Sequence, residues 1–384
     1  MVRAVLAALL LATVPVRAAS VVRVVGTVPA GSGLESPGIV RALDFFPELF
    51  AGAESTIDIA QMYMLYYEPA SPGRALDVLY DGLIAAARRG VRVRILLDSA
   101  TAESNPGPAY GRIADFLGRV AGIEVRFCDL RPYSDYPDCI MHAKYLIIDR
   151  RLVVAGSHNW SFSAFTDNLE LSLVVDDTGT AARLLGVYEQ DWQVAGGGPG
   201  AEPDGAGPDR VTGLVVTTPA KLRAPPGRST AEVLGEMAAG AESTLDVAVN
   251  SFSVRVDFGE ARRYGFVDSL MRAAAGRGVR VRLLVDRWAR EHDPGALVAL
   301  DSVPGIAVRV LDIRPAGPSR GTGSAHAKLV VADRRSALVG SATLSQRQVE
   351  ECRNVGLLTR DPDAVATLGD WFRRAWSSGF ARAP

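Results

Sequence analysis

Two histidine–lysine pairs dominate the chemistry this chain can offer: His142-Ala-Lys144 and, 184 residues later, His326-Ala-Lys328. Each pair opens an aliphatic run closed by an aspartate, Asp149 or Asp333. Seven residues beyond each aspartate stands Gly-Ser, as Gly156-Ser157 and Gly340-Ser341. Residues i and i+2 of an extended chain face the same way, so each imidazole is presented beside its ammonium group. The chain has four histidines and only three lysines among its 42 basic residues. Chance would give about 0.03 His-x-Lys triplets at these frequencies, so two at matching places in a repeat are a specific signal. Such groups suit attack on a phosphodiester. A neutral imidazole can attack phosphorus and form a phosphoramidate. A second, protonated imidazole can give its proton to the leaving oxygen and later take one from water or an alcohol. Two ammonium groups and an amide N–H can hold the charge on the non-bridging oxygens.

The elements that position these groups are repeated too. Tyr145–Asp149 and Leu152–Ala155 read as two buried strands around a turn at Arg150-Arg151. Gly156 then allows a sharp turn that carries Ser157, Asn159 and Ser161 back toward His142. The second copy offers Ser341, Thr343 and Ser345. Ala53–Ala60 recurs as Ala241–Ala248, and Arg89–Asp98 recurs as Arg277–Asp286. Between these strands, Leu76, Leu79, Leu83 and Ala87 fall at helical spacing, as do Val267, Leu270, Met271 and Ala274. Gly90 and Gly278 are natural helix stops. Each half therefore reads strand–helix–strand with a parallel core pair. Aromatic-rich helices at Tyr188–Trp192 and Phe372–Trp376 follow, their rings read as core.

The chain divides into residues 1–19, a half at 20–195, a Gly/Pro-rich linker at 196–210 and a second half at 211–384. Neither half holds both pairs, so a joint site requires the halves to face each other across a pseudo-twofold axis. The fold expected is α/β: two α/β/α sandwich halves with mixed, largely parallel sheets.

Met1–Ala19, with Arg3 before an apolar run and small residues near Ala18-Ala19, reads as a cleaved secretory signal, which implies an exported protein. A net charge of -1 excludes a polybasic nucleic-acid binder. Cys128 and Cys139 flank a loop and could form a disulfide in an oxidising compartment, with Cys352 left as a small core residue. No Cys-x-x-Cys or His-x-x-x-His spacing points to a metal. Asp58 and Asp246 read as strand residues in a buried ion pair or a hydrogen bond with the helix, and His158 and His292 as surface or loop residues.

His142-x-Lys144 with Asp149 and Gly156-Ser-x-Asn159, paired with His326-x-Lys328 and Asp333, resembles the duplicated signature of the phospholipase D superfamily over nearly all of the chain after the signal. The spacing around Ala60 and Val279, with Trp288 following, is similar to its branch of lysosomal exonucleases and poxvirus envelope phospholipases. The resemblance implies that one histidine is phosphorylated and the other acts as acid. His142, in the more complete motif, is assigned as nucleophile and His326 as acid. No cofactor is implied; the partner is a phosphodiester substrate and the state a monomer. The family orients each histidine with a carboxylate. Asn168-Leu-Glu170 supplies one, while Asn354-Val-Gly356 reads as glycine in the matching place, with Glu350 or Glu351 as substitutes. Thr343 stands where a second asparagine is usual, and Asp149 and Asp333 read as structural groups that bond the turns.

Three functions fit. A phospholipase D would use Met62–Tyr67 and Phe252 as an apolar lip. A nuclease would use Arg92, Arg94, Arg280 and Arg282 as a backbone groove and Trp160 to stack bases. The third is a non-catalytic phosphate-binding protein.

Overall fold

The computed structural model describes residues 22–65, 75–105, 108–200, 212–225, 227–254, 264–314, 316 and 323–384. The expected signal segment, Tyr66 and Tyr67, and residues 201–210 of the linker lie outside the described residues.

The first half contains β1 (Val22–Thr27), β2 (Ile39–Arg41), β3 (Thr56–Gln61), β4 (Arg92–Asp98), β5 (Ile123–Cys128), β6 (Tyr145–Ile148), β7 (Leu152–Gly156) and β8 (Glu170–Asp176). They form one sheet in the order β2-β1-β8-β7-β6-β3-β4-β5. The second half contains β9 (Thr212–Thr217), β10 (Thr244–Val249), β11 (Arg280–Asp286), β12 (Ile306–Leu311), β13 (Leu329–Ala332), β14 (Ser336–Gly340), β15 (Asn354–Thr359) and β16 (Ala381–Arg382), ordered β16-β12-β11-β10-β13-β14-β15-β9. The sheets are mixed, as expected, and the strand–helix–strand units do produce parallel pairs, β3-β4-β5 and β10-β11-β12. The hairpins that carry the His-Lys pairs are antiparallel, so antiparallel pairings outnumber parallel ones in both sheets.

Each crossover helix buries one stripe. Leu79, Leu83, Ala86 and Ala87 of helix Asp77–Arg88 face the sheet, and Gly90 ends the helix with a φ of 96° that favours glycine. The repeated Asp–Arg pairs are structural. Arg94 donates to Asp58 at 2.6 Å beneath the Tyr188 and Trp192 rings, and Arg282 donates to Asp246 at 2.7 Å beneath Phe372 and Trp376. Of the two readings of Asp58 and Asp246 the ion pair holds, and the partner is an arginine of the neighbouring strand, not the helix. The pairing also removes Arg94 and Arg282 from any substrate groove.

Asp149 and Arg150, and likewise Asp333 and Arg334, have φ between 51° and 56°. Two consecutive left-handed residues make the tight hairpin turn that matches strand twist. The carboxylates hold it. Asp149 accepts from the backbone N–H groups of Glu54, Ser55 and Thr56 and from the Ser55 hydroxyl; Asp333 does the same with Glu242, Ser243 and Thr244. Both carboxyls are held below the usual carboxylate range: burial pushes upward, but these donors outweigh it, and Asp333 falls to about 2. Their stabilisation is therefore present above the unfolded aspartate value and lost as pH falls through the folded one. Asp333→Asn turns an amide N–H toward those donors. In urea unfolding it is expected to cost about 1–2 kcal/mol at pH 7. The difference should shrink between about pH 4 and 2; an unchanged gap in acid would contradict the turn-clamp role.

One apolar cluster spans both halves, joining Tyr145, Leu171 and Tyr188 to Leu329, Leu357 and Phe372. The outer layer of each half has its own cluster. The Cys128–Cys139 bridge that the sequence allowed is not formed. Cys128 lies against the Asp191 carbonyl at 3.6 Å, while the Cys139 thiol, also free, hydrogen-bonds to the Glu351 carbonyl and to the free Cys352 thiol of the other half. No helix of the described residues is long and apolar enough to cross a membrane.

Candidate active site

The chain ahead of each His-Lys pair is held by the opposite half. Met141 forms a parallel β-bridge with Arg353, and Ala325 forms the symmetric bridge with Leu169. The His142 N–H donates to the Arg353 carbonyl at 2.9 Å, and the His326 N–H to the Leu169 carbonyl at 3.0 Å. These reciprocal contacts bring both pairs to one place between the sheets. Further support comes from Asp98 and Asp286, which end β4 and β11. They accept from the N–H groups of Met141 (2.6 Å) and Ala325 (2.7 Å). Both aspartates close the repeated Arg-Gly-Val-Arg-Val-Arg segments, where their shared position was visible but their role was not.

The histidines are oriented across the interface. Glu170 from the first half accepts from His326 Nδ1 at 2.9 Å. Asn354 from the second half bonds through Oδ1 to His142 Nδ1 at 3.1 Å. The 184-residue step from Glu170 ends on Asn354, not on Gly356, so the vacancy expected at Gly356 is corrected: an amide occupies the carboxylate's place. Glu350 and Glu351 do not substitute. Glu350 accepts from Gln346, and Glu351 from Ser134 and Ala220.

Lys144 donates to the His142 carbonyl, and Lys328 to the His326 carbonyl at 2.6 Å. Burial pushes Lys144 well below the usual lysine value, aided by the Lys328 charge; burial brings Lys328 down to about 7 against the pull of Glu170. Burial, then the Lys144 and Lys328 charges, push His142 well below the usual imidazole value. Burial also lowers His326, but there the Glu170 carboxylate opposes it. Glu170 is itself pushed up by burial, yet the His326 charge and hydrogen bond win and hold it at about 2. His142 thus has two lysines and no carboxylate acting on its ring, whereas His326 has an anion behind it.

Ser157 and Ser341 are buried and donate to Glu170 and Asn354 respectively. Gly156 permits this, because a Cβ there would collide with the Leu171 carbonyl. Asn159 is buried beside them, its side-chain oxygen without a hydrogen-bond partner among the described residues, and Thr343 occupies the matching place. Ser161 caps the short helix Phe162–Thr166, whereas Ser345 precedes helix Gln346–Glu350 without a side-chain cap. Other expectations fail. Trp160 is fully buried among Phe46, Phe50 and Phe165, and Phe252 and Met64 are core residues, so none of them lines a mouth. His158 is buried and bonded to Ser172 and Thr27, while His292 is exposed as expected.

Residues 47–192 and 234–376 match the family model described as cardiolipin synthase, PLD-like domain. The chain belongs to the phospholipase D superfamily. Among curated relatives, the rat 5'-3' exonuclease PLD3 is 29% identical over 64% of this chain and 53% of its own length. The mouse mitochondrial cardiolipin hydrolase is 28% identical over 43% of this chain and 64% of its own. The chain therefore spans about half to somewhat under two thirds of these relatives. The fold is also that of Haemophilus influenzae phosphatidylserine synthase, with a TM-score of 0.64 at 12% identity, covering 94% of this chain and 87% of the other.

Proposed function

We propose that this protein cleaves phosphodiesters in two displacements. His142 Nε2 attacks phosphorus, and His326 protonates the oxygen that leaves. A water molecule, activated by the now neutral His326, then releases the phosphoryl group from His142. Lys144 and Lys328 balance the charge on the non-bridging oxygens. The observation that supports this reading is the reciprocal pair of cross-half bridges, Met141–Arg353 and Leu169–Ala325, each of which holds the chain ahead of one histidine against the other half.

For the substrate we favour a single-stranded nucleic acid over a phospholipid headgroup. Met64 and Phe252, two of the residues expected in an apolar lip, are core, and a different aromatic is available near His326. Trp288 is 51% exposed, stacks on His292 at 4.9 Å, and donates its backbone N–H to Asp286, which also holds Ala325. Exposed aromatic faces near a phosphodiester site stack bases without regard to sequence.

The test compares single-stranded DNA with phosphatidylcholine and cardiolipin vesicles, with chelator present throughout. Turnover of DNA that falls as salt rises is the expected result; turnover of vesicles alone would transfer the reading to lipid, and turnover abolished by chelator would contradict the metal-independent mechanism. His326 must be protonated to act as acid, and burial lowers it. Hence kcat/KM should be highest on the acid side of neutrality and decline as pH rises. Glu170→Gln removes the charge that opposes this lowering and should move the decline to still lower pH.

A further inference from the structure

The two orienting groups sit in pockets of opposite hydrogen-bonding character. Around the Glu170 carboxylate the neighbours are donors: Asn168 Nδ2 reaches Oε1 at 3.0 Å, and the Ser157 hydroxyl and His326 Nδ1 reach Oε2. Around the Asn354 Nδ2 group they are acceptors: the Gln348 carbonyl at 2.8 Å, Gln348 Oε1 at 3.0 Å and the Cys352 carbonyl at 3.2 Å. The matching positions confirm the exchange, since the 184-residue step carries Asn168 to Cys352 and Ala164 to Gln348. A carboxylate at 354 would point an anion at two backbone carbonyls, a buried arrangement that costs more than a lost hydrogen bond. The second pocket is built for an amide and is not a decayed copy of the first.

This fixes the amide and, through it, the proton on His142. Two of the three groups facing Nδ2 are carbonyls that cannot donate, so the amide cannot be turned over. On the other side, Ser341 Oγ accepts from the Val355 N–H at 3.1 Å and therefore spends its own proton on Asn354 Oδ1 at 2.8 Å. Oδ1 has no proton to give. His142 Nδ1, 3.1 Å away, must be the donor, which leaves the Nε2 lone pair free.

We propose that Asn354, clamped by Gln348 and Ser341, is a positioning residue that holds His142 as the neutral Nδ1–H tautomer, while Glu170 makes His326 the proton carrier, so that this asymmetry assigns the nucleophile. The inference rests on the two-displacement reading above. In the first displacement the Nε2 lone pair forms the P–N bond as the P–O bond breaks and the leaving oxygen takes the His326 proton. In the second, water forms the new P–O bond, its proton passes to His326, and the P–N electron pair returns to Nε2. Lys144, Lys328 and His326 are the charged and titratable groups acting on His142; Glu170, Lys328 and Lys144 act on His326. None of those facing His142 is an anion that would favour an imidazolium, whereas Glu170 faces His326.

Four histidines make the test direct. In protein labelled with 15N-histidine, and with peaks assigned through His→Gln variants, His142 is expected as the Nδ1–H tautomer throughout pH 5–8. His326 should gain its proton at a higher pH than His142. An Nε2–H tautomer at His142, or a His142 that titrates above His326, overturns the inference. Asn354→Ala should mix the His142 tautomers and lower kcat by about a hundredfold or more with KM little changed. Unaltered His158 and His292 signals verify that the variant is folded. A folded Asn354→Ala protein with a wild-type kcat overturns the inference. Should the tautomer be as expected but no histidine be phosphorylated during turnover, it is the two-displacement reading that fails, and the assignment of the nucleophile with it.

Discussion

Glutamine at position 142 is expected to lower kcat on phosphodiesters by about four orders of magnitude, and glutamine at 326 to produce a different defect. The contrast follows from where each ring acts. Without His142 there is no nucleophile, so even an ester with an easily lost group such as p-nitrophenol should give no burst of product. Without His326 the first displacement still proceeds on that ester, because nitrophenolate leaves without a proton. Discharge of the intermediate then lacks its base. His326→Gln should therefore release one equivalent of nitrophenolate per enzyme and stall, with phosphate retained on His142. His142 is buried at 8% exposure and the His326 side chain is 15% exposed, and glutamine approximates the imidazole volume. A burst from the His142 variant and none from the His326 variant would reverse the roles.

The second large effect concerns the interface that makes the site. Arg353 is fully buried, donates to both carboxylate oxygens of Asp191 at 2.8–3.2 Å, and also reaches Gln190 and Thr218. Asp191 belongs to the helix of the first half and Arg353 to the approach to β15, so the pair ties the halves together beside the Met141–Arg353 bridge. Arg353→Ala leaves Asp191 as a buried anion without its counter-charge and is expected to cost about 3–5 kcal/mol in denaturant unfolding. Replacing both, Arg353→Met with Asp191→Leu, should recover most of that loss, because the desolvation cost disappears with the charges. If the single variant unfolds like the wild type, the pair is not what docks the halves.

The sequence made much of the site readable because its chemistry is duplicated. Two His-x-Lys pairs, two aspartate turns and two Gly-Ser steps each have a local signature that survives without the fold. The strand–helix–strand units were equally plain, since apolar spacing records which face of Asp77–Arg88 is buried. What stayed hidden depends on how the halves meet. Counting along the Asn-x-Glu pattern put glycine opposite Glu170, whereas the repeat step itself lands on Asn354, and only docking shows that each orienting group serves the other half's histidine. Arg353 and Asp191, 162 residues apart, share no spacing that would announce a pair. Trp160 and His158 looked peripheral because they follow a glycine turn, yet Phe46 and Phe165 from other elements cover both. Arg94 and Arg282 alternate with valine like residues of a solvated edge, but aromatic rings from a later helix enclose them.

Everything proposed for this protein requires one phosphate-sized gap shared by both halves. A crystal structure grown with tungstate, a phosphate mimic that scatters strongly, tests this most directly. The expected result is one tungstate between the rings, with His142 Nε2 and His326 Nε2 on opposite sides and both lysine Nζ atoms at hydrogen-bonding distance. Two separate anions, each held by a single His-Lys pair, would contradict the shared site and the chemistry built on it.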